Sequence, residues 1–179
     1  MTGVMAGATG LVGREFVRIA VEADYPLTAV GRRDVQGVAA TIRTDFSAPL
    51  TLPAADVALC ALGTTMATAG SRAAFYAVDH DAVLHFAQAA LAAGIRHFIV
   101  ISAVGADPRS PVFYSRVKGE TERDLAALGF DRLDVLRPGL LLGRRSERRP
   151  GEALFQRLDP VLRRVLPGPL SRYAGVPAA

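Results

Sequence analysis

Gly3-Val4-Met5-Ala6-Gly7-Ala8-Thr9-Gly10-Leu11-Val12-Gly13 joins a short apolar run to a glycine-punctuated turn and the first residues of a helical pattern. Glycines at positions 7, 10 and 13 suit three tasks. They allow a tight turn, let a pyrophosphate approach the backbone, and let the following helix pack closely on the strand, with its N-terminus facing phosphate charge. Gly7, Thr9, Gly10, Leu11, Val12 and Gly13 are therefore candidate cofactor-binding residues. The Gly-x-x-Gly-x-x-Gly spacing is one residue longer than the commoner dinucleotide fingerprint, so the motif takes its weight from its place between a strand and a helix.

Outward from this loop, two kinds of segment alternate. Apolar or β-branched runs at Gly3 to Ala6, Leu27 to Val30, Thr41 to Thr44, Val57 to Leu62, His97 to Ser102 and Leu133 to Arg137 predict six strands. Helical spacing links Val12, Phe16, Ile19 and Ala20 after the first run, and Phe75, Val78, Ala82, Phe86 and Ala89 before the fifth. Ser110-Pro111 predicts an N-cap and first-turn proline for a helix carrying Tyr114, Lys118, Glu122 and Leu125, with Gly129 as its stop. Gly31 to Ala40 is too short for a crossover helix and predicts a loop or single turn. The alternation implies an α/β fold, a doubly wound parallel sheet of Rossmann type, in one domain over residues 1–179. Residues 140–179 hold five prolines from Pro150 to Pro177 and two short helical patterns, Gly151 to Leu158 and Pro160 to Leu166, which predicts a C-terminal covering segment on the substrate side.

Composition narrows the function classes. The chain has 179 residues, and half of them are hydrophobic, enough for a continuous core. The start, Met1-Thr2-Gly3, lacks the pattern of a secretory signal, and no apolar run reaches the ~20 residues of a membrane helix. A single cysteine, Cys60, inside an apolar run, excludes an internal disulfide and suggests an inert core thiol in a reducing cytoplasm. Charge is uneven: residues 1–90 carry 6 Arg and 8 Asp/Glu, and residues 91–179 carry 15 Lys/Arg and 9 Asp/Glu. Arg144 to Arg149 hold much of that excess, yet neither a nucleic-acid motif nor interleaved aromatics accompany them. His80, His85 and His97 lack metal-ligand spacing, so no metal is expected, and Asp79 and Asp81 look like a solvated helix face.

Cofactor choice is set where the second strand ends. Gly31-Arg32-Arg33-Asp34 places two guanidiniums where NAD-selective proteins place an acid, which favours the 2′-phosphate of NADP over NAD. Asp34 is the competing acid at this position. Asp45, after the third strand, reads either as an acceptor for an adenine amine or as a surface carboxylate.

Arg supplies all the positive charge except at one position, Lys118, four residues after Tyr114. The i, i+4 spacing sets both side chains on one helix face, where a compact ammonium can approach a phenol oxygen and a sugar hydroxyl together. Tyr114 and Lys118 are thus candidate catalytic residues.

Together, Gly7 to Gly13, Gly31-Arg32-Arg33, Cys60 to Thr65, Ser102 to Asp107, Tyr114 to Glu120 and Arg137-Pro138-Gly139 resemble the short-chain dehydrogenase/reductase superfamily. Within its atypical or extended branch, they are most similar to the small NADPH-binding proteins grouped with the Tat-interacting oxidoreductase. The resemblance implies that Ser102 hydrogen-bonds a substrate carbonyl oxygen, that Tyr114 moves a proton to or from it, and that Lys118 assists Tyr114 while holding the nicotinamide ribose. It also implies that Leu62, Gly63 and Thr64 cover the adenine ribose, and that Pro138 and Gly139 lie beside the nicotinamide. Many members have an asparagine in the helix after the fourth strand, where Val78-Asp79-His80-Asp81 offers an aspartate instead.

The function expected from these features is NADP-dependent interconversion of a small carbonyl compound and its alcohol. The alternative is an NADPH-binding regulatory or redox-sensor protein acting through a protein partner. A sugar-nucleotide epimerase fits less well, because the chain lacks a sizeable C-terminal substrate domain. Nucleic acid and membrane are not expected partners, and the sequence leaves a homo-oligomer open.

Overall fold

The computed structural model describes residues 1–139, together with the backbone of two short strands at 141–142 and 176–177. Six strands, β1 (Gly3–Ala6), β2 (Leu27–Gly31), β3 (Ala40–Arg43), β4 (Val57–Cys60), β5 (His97–Ile101) and β6 (Arg132–Leu136), form one sheet in the order β3-β2-β1-β4-β5-β6. Every neighbouring pair is parallel, as in a doubly wound Rossmann sheet. β7 (Leu141–Leu142) and β8 (Val176–Pro177) pair separately, also in parallel. The rest of the predicted covering segment, its two helical patterns and Arg144 to Arg149 lie outside the described residues.

Central β1 is buried throughout, because helices cover both faces of the sheet. Val4 and Ala6 join a core with Phe86, Phe98 and Leu125. Met5 turns to the opposite face and packs with Leu27, Ala29 and Leu59.

Helix α1 (Leu11–Glu22) is rotated from the expected packing stripe: Phe16 and Ile19 are exposed, and Val17 packs on the sheet beside Ala20, which keeps its expected place. The cause is Gly13, where a Cβ would lie 2.1 Å from the Gly7 carbonyl oxygen. Once Gly13 is seated on the loop, residues four and seven positions later face the sheet. As predicted, residues 32–39 form no helix between β2 and β3.

After β4, α2 (Met66–Ala69) and α3 (Arg72–Tyr76) lead into a π-helical turn (Ala77–Asp81) and then α4 (Ala82–Ala92). The π turn inserts a register shift into the predicted stripe, so that Phe75, Asp79, His80, Val83 and Phe86 are buried while Val78 and Ala82 are only partly so. Asp79 is therefore not part of a solvated face, although Asp81 is exposed.

Helix α5 (Phe113–Ala126) starts later than Ser110-Pro111 suggested. Its N-cap is Val112, with no side-chain cap, and Ser110 Oγ instead accepts a hydrogen bond from the Val112 amide at 3.1 Å. Gly129, with φ +80°, turns the chain toward β6.

Candidate functional site

The sheet order reverses between β1 and β4, and a cavity of about 740 Å³ opens at the C-terminal ends of the strands there. Its floor is the glycine loop. Gly7 has φ +86°, and a Cβ on it would fall 2.4 Å from the Ala61 carbonyl, so loop and β4 meet with no room for a side chain. Gly10 caps α1 with extended backbone, and the first-turn residues Leu11 and Val12 line the cavity. A Cβ on Gly10 would meet only the Gly7 oxygen, at 3.4 Å. Packing thus demands glycine at 7 and 13, whereas at 10 the demand fits a phosphate lying against the helix N-terminus.

Of the candidate catalytic and cofactor-binding residues, Gly13 alone does not line this cavity, being used in packing. Gly7, Thr9, Gly10, Leu11, Val12, Arg32, Arg33 and Asp45 gather at one end, and Leu62, Gly63, Thr64, Ser102, Tyr114, Lys118, Pro138 and Gly139 also line it. Arg33 donates to Thr9 Oγ1 at 3.3 Å, linking the basic strand end to the glycine loop. Arg14, which was not singled out, lines the cavity as well. Asp34 is turned aside: its carboxylate receives both Nε, at 2.8 Å, and Nη2 of Arg43. Asp45 Oδ1 accepts from the amide and hydroxyl of Ser47 at 2.9 and 2.6 Å, so one oxygen is committed to its own loop. Phe46 follows in the left-handed region at φ +66°, with its carbonyl bonded to His85 Nδ1 at 2.7 Å, and it too lines the cavity.

Two carboxylates organise the inward side of α5. Lys118, 6% exposed, places Nζ 2.8 Å from Asp79 Oδ1, and Asp79 Oδ2 accepts from the Thr64 amide at 2.7 Å. At 2.8 Å the Lys118 ammonium and Asp79 Oδ1 form a buried, charge-assisted pair. Burial, the largest single influence, works to lower the Lys118 pKa, and the Asp79 charge and hydrogen bond, joined by the Tyr114 and Cys60 groups, together outweigh it and leave the ammonium above its ordinary range. One turn along, Ser102 Oγ donates to Glu122 Oε1, and Arg137 grips the same carboxylate through Nε at 2.9 Å and through Nη2. Tyr114 stands at the mouth, 37% exposed, with its ring 5.8 Å from that of Phe75.

Asp79 and Glu122 escaped the sequence reading. A signal for Asp79 was present: it lies four residues after Phe75 and four before Val83, within a buried stripe, and the lone lysine needed a counter-charge. The histidines serve structure. His80 bridges Asp81 and Asp124, His85 holds Phe46, and His97 pairs with Asp134. Cys60 is fully buried, and its thiol is pushed up to about 12 by that burial, which leaves it inert.

A parallel sheet in this order, with a glycine loop feeding a helix at its switch point, defines a dinucleotide-binding Rossmann fold. The chain belongs to the NAD(P)H-binding family, whose model matches residues 7–147. The fmp52 protein of Emericella nidulans is 39% identical over 166 residues, spanning 84% of this chain and 71% of that protein. The FMP52 protein of Saccharomyces cerevisiae is 40% identical over 157 residues, spanning 82% and 68%. Rat HTATIP2 is 49% identical over 102 residues, spanning 57% of this chain and 42% of that protein. Among solved structures, MoeE5 in complex with UDP-glucose and NAD has a TM-score of 0.69 at 21% identity, covering 89% of this chain and 60% of the other. The human epimerase family protein SDR39U1 with NADPH gives 0.67 at 20%, covering 90% and 60%. The chain thus spans about three fifths of the length of these structures, which share its fold.

These relatives correct one expectation. The FMP52 proteins are named mitochondrial, against the cytoplasmic setting inferred from cysteine usage. A single buried thiol survives in any reducing compartment and does not discriminate among them.

Proposed function

We propose that this chain is an NADP(H)-dependent oxidoreductase that interconverts a small carbonyl compound and its alcohol. The observation that carries this is the placement of Lys118 and Tyr114, one helical turn apart, on the wall of the cavity that begins at the phosphate loop. When bound, the cofactor supplies or accepts a hydride at the substrate carbon.

The chain's own residues do the rest. In the reducing direction Tyr114 donates its phenolic proton to the carbonyl oxygen, and in the oxidising direction it takes that proton back. Lys118 holds the ribose hydroxyls next to Tyr114. Pro138 and Gly139 close the nicotinamide side of the cavity. Ser102 serves the carbonyl only after turning its hydroxyl from Glu122, so Tyr114 is the principal proton donor.

Preference for NADP rests on Arg32 and Arg33 lining the cavity while Asp34 is paired with Arg43. Arg14 adds a third guanidinium to the lining. Titration with NADPH and NADH, followed by an aldehyde, ketone and quinone panel, tests the proposal. NADPH-selective binding with turnover supports it, and tight binding without oxidation of NADPH would assign the sensor role instead.

A further inference from the structure

Asp79 is anchored at three points. Its carboxylate takes the Thr64 amide from the loop after β4 and faces Lys118 on α5, and its carbonyl accepts from Thr121 Oγ1 at 3.0 Å. Asp79 lies in the π turn that packs against α5, and it is 1% exposed. Gly63 lies over the pair: a Cβ there would be 3.5 Å from Asp79 Oδ1 and 3.8 Å from Lys118 Nζ, so the cavity wall carries no side chain at that point.

We infer that Asp79 is a positioning residue for cofactor binding, the counter-charge that holds the buried Lys118 ammonium in place and keeps it charged. This rests on the proposed assignment of the cavity to NADP(H). The other titratable groups near Lys118 do not substitute for Asp79. Tyr114 is on its own helix, the Cys60 thiol stays neutral because its pKa is pushed up to about 12, and Glu122 is held by Ser102 and Arg137. An ammonium buried without a carboxylate favours its neutral form. The role expected of Asp79 therefore differs from that of a neutral asparagine, which could orient a lysine but not fix its charge.

Asp79→Asn tests this, because it keeps shape and leaves an acceptor for Thr64. NADPH affinity is measured by fluorescence from pH 6.5 to 9.5 in wild type and variant. The wild-type to variant affinity ratio is expected to rise at least about tenfold across that range, as Lys118 loses its proton in the variant alone. A parallel measurement needs no cofactor. In the variant the unfolded lysine binds protons more tightly than the folded one, so stability climbs with pH, and the melting-temperature gap to wild type narrows between pH 7 and 9.5. In wild type the raised Lys118 pKa contributes stability below the unfolded value that is lost only as pH rises through the folded value.

A constant gap and a constant ratio would overturn the inference, as would a narrowing gap with a constant ratio. Failure of wild type to bind NADPH would sink the cofactor assignment, and with it the positioning role, while the melting data still decide the charge coupling. Should Asp79→Asn not fold, Asp79→Asn combined with Lys118→Met is expected to fold and bind NADPH weakly at every pH. A double variant as unstable as the single one would also overturn the inference.

Discussion

The Ser102 hydroxyl donates to the Glu122 carboxylate, twenty residues along the chain, while Arg137 holds that carboxylate from the other side. The network ties the end of β5 to α5 and to the residue after β6. Ser102→Ala is expected to cost about 1–3 kcal/mol of stability, as for loss of a hydrogen bond to a charged group. Turnover should fall less than in a Tyr114 variant, because the proton of Ser102 is already engaged. Urea unfolding and kcat on one active carbonyl substrate check both halves.

Tyr114→Phe removes the proposed proton donor and keeps the ring packed on Phe75. NADPH affinity should stay within about twofold, and turnover should drop by about 10²-fold or more, the usual range for losing a general acid. Unchanged turnover would refute the role of Tyr114.

Arg33→Ala should weaken NADPH by about tenfold and leave NADH nearly unchanged, since a guanidinium–phosphate contact is worth about 1.4 kcal/mol or more in discrimination. Asp34→Asn supplies the contrast. Its carboxylate is paired with Arg43 outside the cavity lining, so the NADPH to NADH ratio should move by less than about twofold. Paired isothermal titrations decide the matter.

The glycine loop separates packing from binding. Gly13→Ala places a methyl group 2.1 Å from the Gly7 oxygen and should destabilise the fold by about 1–3 kcal/mol or more through overpacking. Gly10→Ala meets only that same oxygen at 3.4 Å, so the melting temperature should hold while NADPH affinity falls. Equal effects of the two variants on melting would contradict this division.

Much of the fold was legible because its signals are local. Apolar runs bounded by turns gave six strands close to their observed limits, and the Gly31 to Ala40 stretch showed too little room for a helix. Where local periodicity misled, a tertiary contact was responsible. Phe16 and Ile19 lost the core to Val17, while Ala20 kept its expected place, because Gly13 sets the rotation of α1, and Asp79 faces inward to meet Lys118.

The Tyr114-x-x-x-Lys118 spacing and the lone lysine could be read directly, since helix geometry makes residues four apart neighbours. Sequence by itself determined the parallel sheet, the glycine loop at its first strand-to-helix turn and part of the cavity lining. Only the tertiary structure decided which charges pair: Lys118 with Asp79, Glu122 with Ser102 and Arg137, and Asp34 with Arg43. Those partners lie on different elements, and whether two side chains meet depends on how each element is rotated when it packs. Backbone spacing along the chain carries no record of that rotation until the core has formed.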